Sequence, residues 1–255
     1  MSAPVLETRG LRKSFKGFTA VDGVDLAVQS GHIHALIGPN GAGKTTLFNL
    51  LTRFIEPSAG EIHFNGEPVS NLPAKAVARR GMVRSFQISA VFGGLSVLDN
   101  VRLALQRKLG VSFHFWRSAR VLDRLNEEAL TLLDQVGLAT LADEAAGALP
   151  YGRKRALELA TTLAMDPVLM LLDEPTQGMG YEDVERVTSL IKTVSAGRTV
   201  LMVEHNMKVV ASIADTLTVL QRGRVIASGD YHQVSRNEEV TRAYLGGGRQ
   251  GGAAA

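Results

Sequence analysis

The chain has 255 residues, 45% hydrophobic and 21% charged, with a formal net charge of +3. That length suits one large α/β domain, or a domain with a modest lobe, and the composition supports a packed core. So small a charge, with no long basic run, excludes a strong nucleic-acid reading, and the lack of cysteine excludes disulfides, thiolate metal sites and cysteine nucleophiles.

Met1 to Leu11 carries charges and no apolar core, unlike a signal peptide, and no run approaches the roughly 18 apolar residues that cross a bilayer. Any service to a membrane is therefore expected from its surface, through a partner. After a turn at Lys16-Gly17, Val21 to Val28 alternates apolar and polar as a half-buried strand does. Ile33 to Ile37 is a short apolar strand running into a glycine-rich loop, and Lys44 to Leu51 reads as a helix with Leu47, Leu50 and Leu51 on one side. Glu61 to Phe64, before Asn65-Gly66, reads as a strand entering a tight turn.

From about Gln87 to Met165 the period becomes helical, as in Asn126 to Val136, where Leu130, Leu133 and Val136 share a face. Phe113, Phe115 and Trp116 read as packing within this lobe, with a partner-docking surface as the alternative. Strands return at Val168 to Leu172, Thr199 to Val203 and Leu217 to Leu220, with a helix over Glu182 to Val194 between the first two. That order implies parallel pairing through a crossover. Arg222-Gly223-Arg224 turns into a hairpin strand at Val225 to Ala227, and residues 247–255, almost all Gly and Ala, read as a disordered tail.

Gly38-Pro39-Asn40-Gly41-Ala42-Gly43-Lys44-Thr45 fits G-x-x-x-x-G-K-[ST], with a strand before it and a helix after it. Its glycines let backbone N–H groups turn inward on phosphates, and the helix start adds partial positive charge. Lys44 would neutralise phosphate charge, and the Thr45 hydroxyl is placed to ligate Mg²⁺. The apolar run Val168 to Leu172 ends in Asp173-Glu174, which suits Asp173 to hold Mg²⁺ and Glu174 to polarise a water as general base. The next buried strand ends in Glu204-His205, where His205 can contact a γ-phosphate or hold Glu174 and the water in register. His32 and His34 lack a third ligand and do not read as a metal site.

In this order, the elements resemble the ATP-binding cassette (ABC) proteins from about Leu6 to Leu245. Gln87, in Val83-Arg84-Ser85-Phe86-Gln87, matches the family's glutamine that reaches Mg²⁺ and water, and His205 matches its switch histidine. Leu149-Pro150-Tyr151-Gly152-Arg153 stands where the Leu-Ser-Gly-Gly-Gln signature belongs, with Pro150 for serine and Tyr151 for glycine. Tyr151 and Gly152 are thereby implied at the nucleotide of an opposite subunit. Phe15 lies where an aromatic stacks on adenine, with Phe18 a rival. Gly180 stands where aspartate is common, and Asn206 where the nearest subgroup often has aspartate. That subgroup is the LivG-type ATPases of branched-chain amino acid importers. It is matched by Gly38 to Thr46, by Gly81 to Gln87, by the Pro-Tyr-Gly signature, by Val203 to Met207 and by Arg242 to Gly246.

The resemblance implies an α/β P-loop cassette. It has a mixed sheet core with RecA-like parallel strands, an antiparallel β subdomain and a helical subdomain at about 88–165, within a single domain spanning 1–246. It implies ATP and Mg²⁺ as cofactors. Its implied partners are a second, different ATPase (a homodimer being the alternative), two membrane permeases and, indirectly, a solute-binding protein, with no nucleic acid. The implied place is peripheral, on the cytoplasmic face of the inner membrane. Urea or amide uptake, lipopolysaccharide export, a soluble ABC ATPase and a regulatory module without turnover are the alternatives.

Overall fold

A computed structural model describes residues 3–85, 91–109 and 124–245. Its centre is a six-stranded sheet in the order β10-β9-β3-β8-β7-β6, formed by β3 (Ile33–Ile37), β6 (Met82–Arg84), β7 (Leu169–Asp173), β8 (Thr199–Val203), β9 (Thr216–Gln221) and β10 (Arg224–Gly229). All pairings are parallel except the β9–β10 hairpin. The parallel strands are almost wholly apolar because both their faces are buried, which the strict alternation of side chains makes visible. Ile33, Ala35 and Ile37 of β3 enter one core, with Met170 and Leu172 of β7 and Val200 and Met202 of β8. Leu36, Leu169, Leu171, Leu201 and Val203 enter the other.

A second, antiparallel sheet in the order β2-β1-β4-β5 covers that other face, built from β1 (Pro4–Phe15), β2 (Phe18–Gln29), β4 (Ala59–Phe64) and β5 (Glu67–Pro68). Helix α1 (Lys44–Leu51) contributes Leu47, Phe48, Leu50 and Leu51 to the core of this layer. The first core is closed by helices: α3 (Val97–Leu109), α4 (Asn126–Gln135), α5 (Tyr151–Ala164), α6 (Tyr181–Val194) and α7 (Met207–Ile213). A short α2 (Ala74–Arg79) precedes β6, and α8 (Tyr231–Ser235) and α9 (Glu238–Leu245) close the described chain.

Two expectations shift. On α4 the buried line is Ala129, Leu133 and then Val136, whereas Leu130 is 40% exposed. The spacing of four and then three residues keeps that line on one helical face. Val168 is exposed and outside β7, which instead extends to Asp173. Phe113, Phe115 and Trp116, and the tail from 246, lie outside the described residues.

Candidate functional site

The phosphate loop leaves the C-terminal end of β3 and enters α1 through Gly43, whose φ of +102° lies in the left-handed region. A Cβ there would lie 2.4 Å from the carbonyl oxygen of Ala20, so only glycine fits without a backbone shift. The loop is braced from the β9–β10 turn. Gly223 N–H donates to the Ala42 carbonyl (2.9 Å), and Asp22 N–H donates to the Gly223 carbonyl (2.8 Å). Lys44 is buried, and its Nζ donates to the carbonyls of Gly38 (2.6 Å) and Pro39 (3.1 Å). Burial lowers the Lys44 pKa from its ordinary value, while the charges of Glu174 and Asp173 oppose that shift.

Asp173 ends β7 opposite Val203 of β8, and the Glu174 N–H donates to the Val203 carbonyl (3.0 Å). Glu174 itself adopts a φ of +46°, uncommon for a residue with a side chain, so the chain turns sharply at the strand end. Asp173 is gripped by the Arg84 guanidinium from the neighbouring strand β6. Arg84 also donates to Asn49 Oδ1 on α1 (2.6 Å) and lies 5.8 Å from the Phe48 ring centroid. This tie between β6, β7 and α1 was not legible in the sequence, although Arg84 falls within a stretch that the resemblance matched.

His205 is exposed at the end of β8. The residue before it, Glu204, is fully buried. Its Oε1 accepts from Thr176 Oγ1 (2.6 Å) and Thr176 N–H (3.2 Å), and its Oε2 accepts from the N–H groups of His205 (3.0 Å) and Asn206 (3.1 Å). Asn206 caps α7, accepting from Lys208 N–H (3.1 Å). Asparagine and aspartate are about equally good caps, which accounts for the departure at Asn206.

The variant signature starts α5, with Pro150 as N-cap. Tyr151 donates its hydroxyl proton to the Gln177 carbonyl (3.0 Å), and a Cβ on Gly152 would lie 2.8 Å from Asp183 Oδ1 of α6. Both residues are thus packed against the stretch after Glu174. One turn further, Arg155 donates to Glu158 Oε2 (2.7 Å) and reaches the Glu174 carbonyl (3.4 Å). Burial pushes the Glu158 carboxyl up, against the pull of Arg155.

Phe15 and Phe18 face each other in register across the two-residue Lys16-Gly17 turn, 45% and 66% exposed. Lys13 Nζ sits 5.1 Å from the Phe15 ring centroid, a cation–π contact with one face of that ring. Gln87 lies outside the described residues. His34 is a core histidine: its ring nitrogens bond Thr216 Oγ1 (2.8 Å) and Thr218 Oγ1 (2.9 Å), and burial, then the charge of His32, lowers its pKa to about 4.

Among the described residues, Thr45 at the start of α1 and Asp173 at the end of β7 are hard oxygen donors of the kind Mg²⁺ takes, with water completing its shell. A phosphate cradle on β3 with carboxylates on a parallel strand of the same sheet defines a P-loop nucleotide-binding cassette. The model of the family described as ABC transporter matches residues 21–177, and one described as branched-chain amino acid ATP-binding cassette transporter matches residues 224–249. The chain belongs to the ABC transporter family, as one of its ATPase cassettes. It is 39% identical to the high-affinity branched-chain amino acid transport ATP-binding protein BraF of Pseudomonas aeruginosa, over 96% of this chain and 99% of that protein. With LivG of Escherichia coli (strain K12) the identity is 37%, over 96% and 99%. A solved ATP-binding cassette of an ABC transporter in its ADP conformation superposes with a TM-score of 0.83 at 27% identity, covering 96% of this chain and all (100%) of that one. A nucleotide-free cassette gives 0.81 at 26%, over 94% and 98%.

Proposed function

We propose that this chain is the ATP-hydrolysing subunit of a branched-chain amino acid importer, and that residues 1–246 form one cassette with the lobe at about 88–165 inserted. The observation that carries this is the phosphate loop between β3 and α1 with Asp173 of β7 tied to α1 through Arg84, in a chain whose C-terminal residues match the branched-chain cassette model. The backbone N–H groups of Gly38, Asn40, Gly41, Ala42 and Gly43 and the Lys44 ammonium hold the phosphates, Pro39 shapes the loop without an N–H of its own, and Thr45 and Thr46 start the helix behind them. Thr45 and Asp173, with Gln87, would hold Mg²⁺, which would neutralise charge on the phosphates. Glu174 takes the proton of the attacking water, and His205 holds the transferred phosphate and that water in line. Phe15 stacks on adenine, with Phe18 beside it. Tyr151 and Gly152 face the nucleotide of a second, different cassette.

Permease subunits dock at a groove of about 550 Å³ lined by Phe54, Met82, Phe92, Leu103, Ala104 and Met165. Phe54 and Phe92 are 60% and 61% exposed there, a strongly apolar face for a surface. The assembly lies on the cytoplasmic face of the membrane and is fed by a solute-binding protein. The test is ATP-driven uptake of radiolabelled leucine by the chain reconstituted with its partner subunits. Uptake lost in Lys44→Ala together with nucleotide affinity supports the reading. Micromolar affinity kept in Lys44→Ala refutes the loop assignment, and hydrolysis without uptake of any branched-chain amino acid refutes the solute.

A further inference from the structure

Beyond the ends of β7 and β8 the ladder stops, and its last bond is Glu174 N–H to the Val203 carbonyl (3.0 Å). The two chains that continue carry Pro175-Thr176 on one side and His205-Asn206 on the other. One carboxylate joins them. We propose that Glu204 is a positioning residue for hydrolysis, its carboxylate fixing where Glu174 and His205 stand relative to each other. This rests on the assignment of those two residues as general base and switch histidine.

Three features carry it. First, Glu204 is fully buried, and its four donors are one hydroxyl and three backbone N–H groups, none of them charged. A buried carboxylate is costly, and β8 before it is Thr-Val-Leu-Met-Val, so an apolar residue would follow this strand at lower cost. The carboxylate persists here with every bond directed to one of two loops. Second, the two oxygens divide the work: Oε1 serves only Thr176, two residues after Glu174, and Oε2 serves only His205 and Asn206. Neither loop can slide against the other without breaking two bonds to an ion. Third, Glu174 is already in a left-handed conformation, and its carbonyl accepts from Gln177 N–H (3.1 Å) and Arg155 (3.4 Å). Pro175 fixes its own φ, and the next residue, Thr176, is where Glu204 holds the turn.

Glutamine would fit the volume but not the chemistry. It offers one carbonyl oxygen, and its NH₂ would face N–H donors on the other side. Glu204→Gln is therefore expected to release one loop while keeping the core filled. Lys44 stands at the start of α1, away from both loops, and nucleotide binding there is expected to persist.

The experiment compares Glu204→Gln, Thr176→Val and Glu174→Gln with the parent chain, each in the complex with its partner subunits. ATP KM and kcat are measured, with the affinity and stoichiometry of a fluorescent mant-ATP probe. Loss of bonds to a charged acceptor predicts a fall in kcat of about tenfold or more for Glu204→Gln. Thr176→Val, which removes only the 2.6 Å hydroxyl bond, is expected to lose kcat several-fold. For both, probe affinity and stoichiometry stay at parent values. Unchanged kcat, or a kcat that falls only in proportion to probe stoichiometry, overturns the proposal. If Glu204→Gln does not fold, Thr176→Val decides it by the same criteria. Turnover retained in Glu174→Gln would instead remove the general base, a failure of the site assignment and distinguishable from a failure at Glu204.

Discussion

Replacing Gly43 by alanine separates the two reasons for a glycine in the phosphate loop. At +102° the backbone is left-handed, which costs a residue with a Cβ about 1–2 kcal/mol. The new Cβ would also stand 2.4 Å from the Ala20 carbonyl oxygen, against 3.4 Å for ordinary contact, and that carbonyl is backbone. The neighbouring strand cannot easily retreat, because Asp22 N–H and Gly223 N–H both tie it and the turn to the loop at 2.8 and 2.9 Å. Overpacking of this kind costs about 1–3 kcal/mol more. For a chain of this size each kcal/mol moves Tm by about 2–4 °C, so Gly43→Ala is expected to melt roughly 4–20 °C lower. Gly41→Ala is the control. Gly41 is also left-handed, at +77°, but nothing lies within 4 Å of its Cβ position, so only the smaller conformational cost applies. The assay is calorimetric melting without nucleotide. Equal Tm shifts for the two variants would refute the steric half of the argument, and no shift in either would refute both.

Two further outcomes can be stated. Because burial raises the Glu158 pKa from 4.5, the folded chain binds that proton more tightly than the unfolded one. Stability relative to Glu158→Gln should therefore decline as pH rises from 4.5 through the raised folded value. Chemical denaturation across that window checks the sign, and a rising difference contradicts it. With Pro150 and Tyr151 in its signature, the chain alone should be a weak ATPase that a cassette with the usual signature activates. Full turnover by the isolated chain, measured as phosphate release, would contradict an unequal pair.

The phosphate loop was readable because its chemistry is contiguous. A strand, six loop residues and a helix fix Lys44 and Thr45 through local backbone geometry, and the observed helix begins at Lys44 as the sequence implies. Asp173-Glu174 was readable for the same reason, since the two carboxylates directly follow an apolar run, although β7 itself continues through Asp173. Other elements were hidden. β1 escaped notice because bulges between Thr8 and Leu11, and again before Ser14, break the alternation that marks a strand. Leu130 was misplaced because, at one point in a helix, either neighbour of a buried line can satisfy the period. Glu204 lay beside a residue that drew attention, with nothing in its own neighbourhood to mark its role.

What the sequence carried by itself was therefore the candidate reacting groups and the strand ends that bear them. What the tertiary structure alone decided was how those groups are held. Arg84 meets Asp173 across 89 residues, and Glu204 meets Thr176 across 28. Hydrogen bonds over such separations depend on which strands become neighbours in the sheet. Periodicity and local motif report only on the few residues to either side.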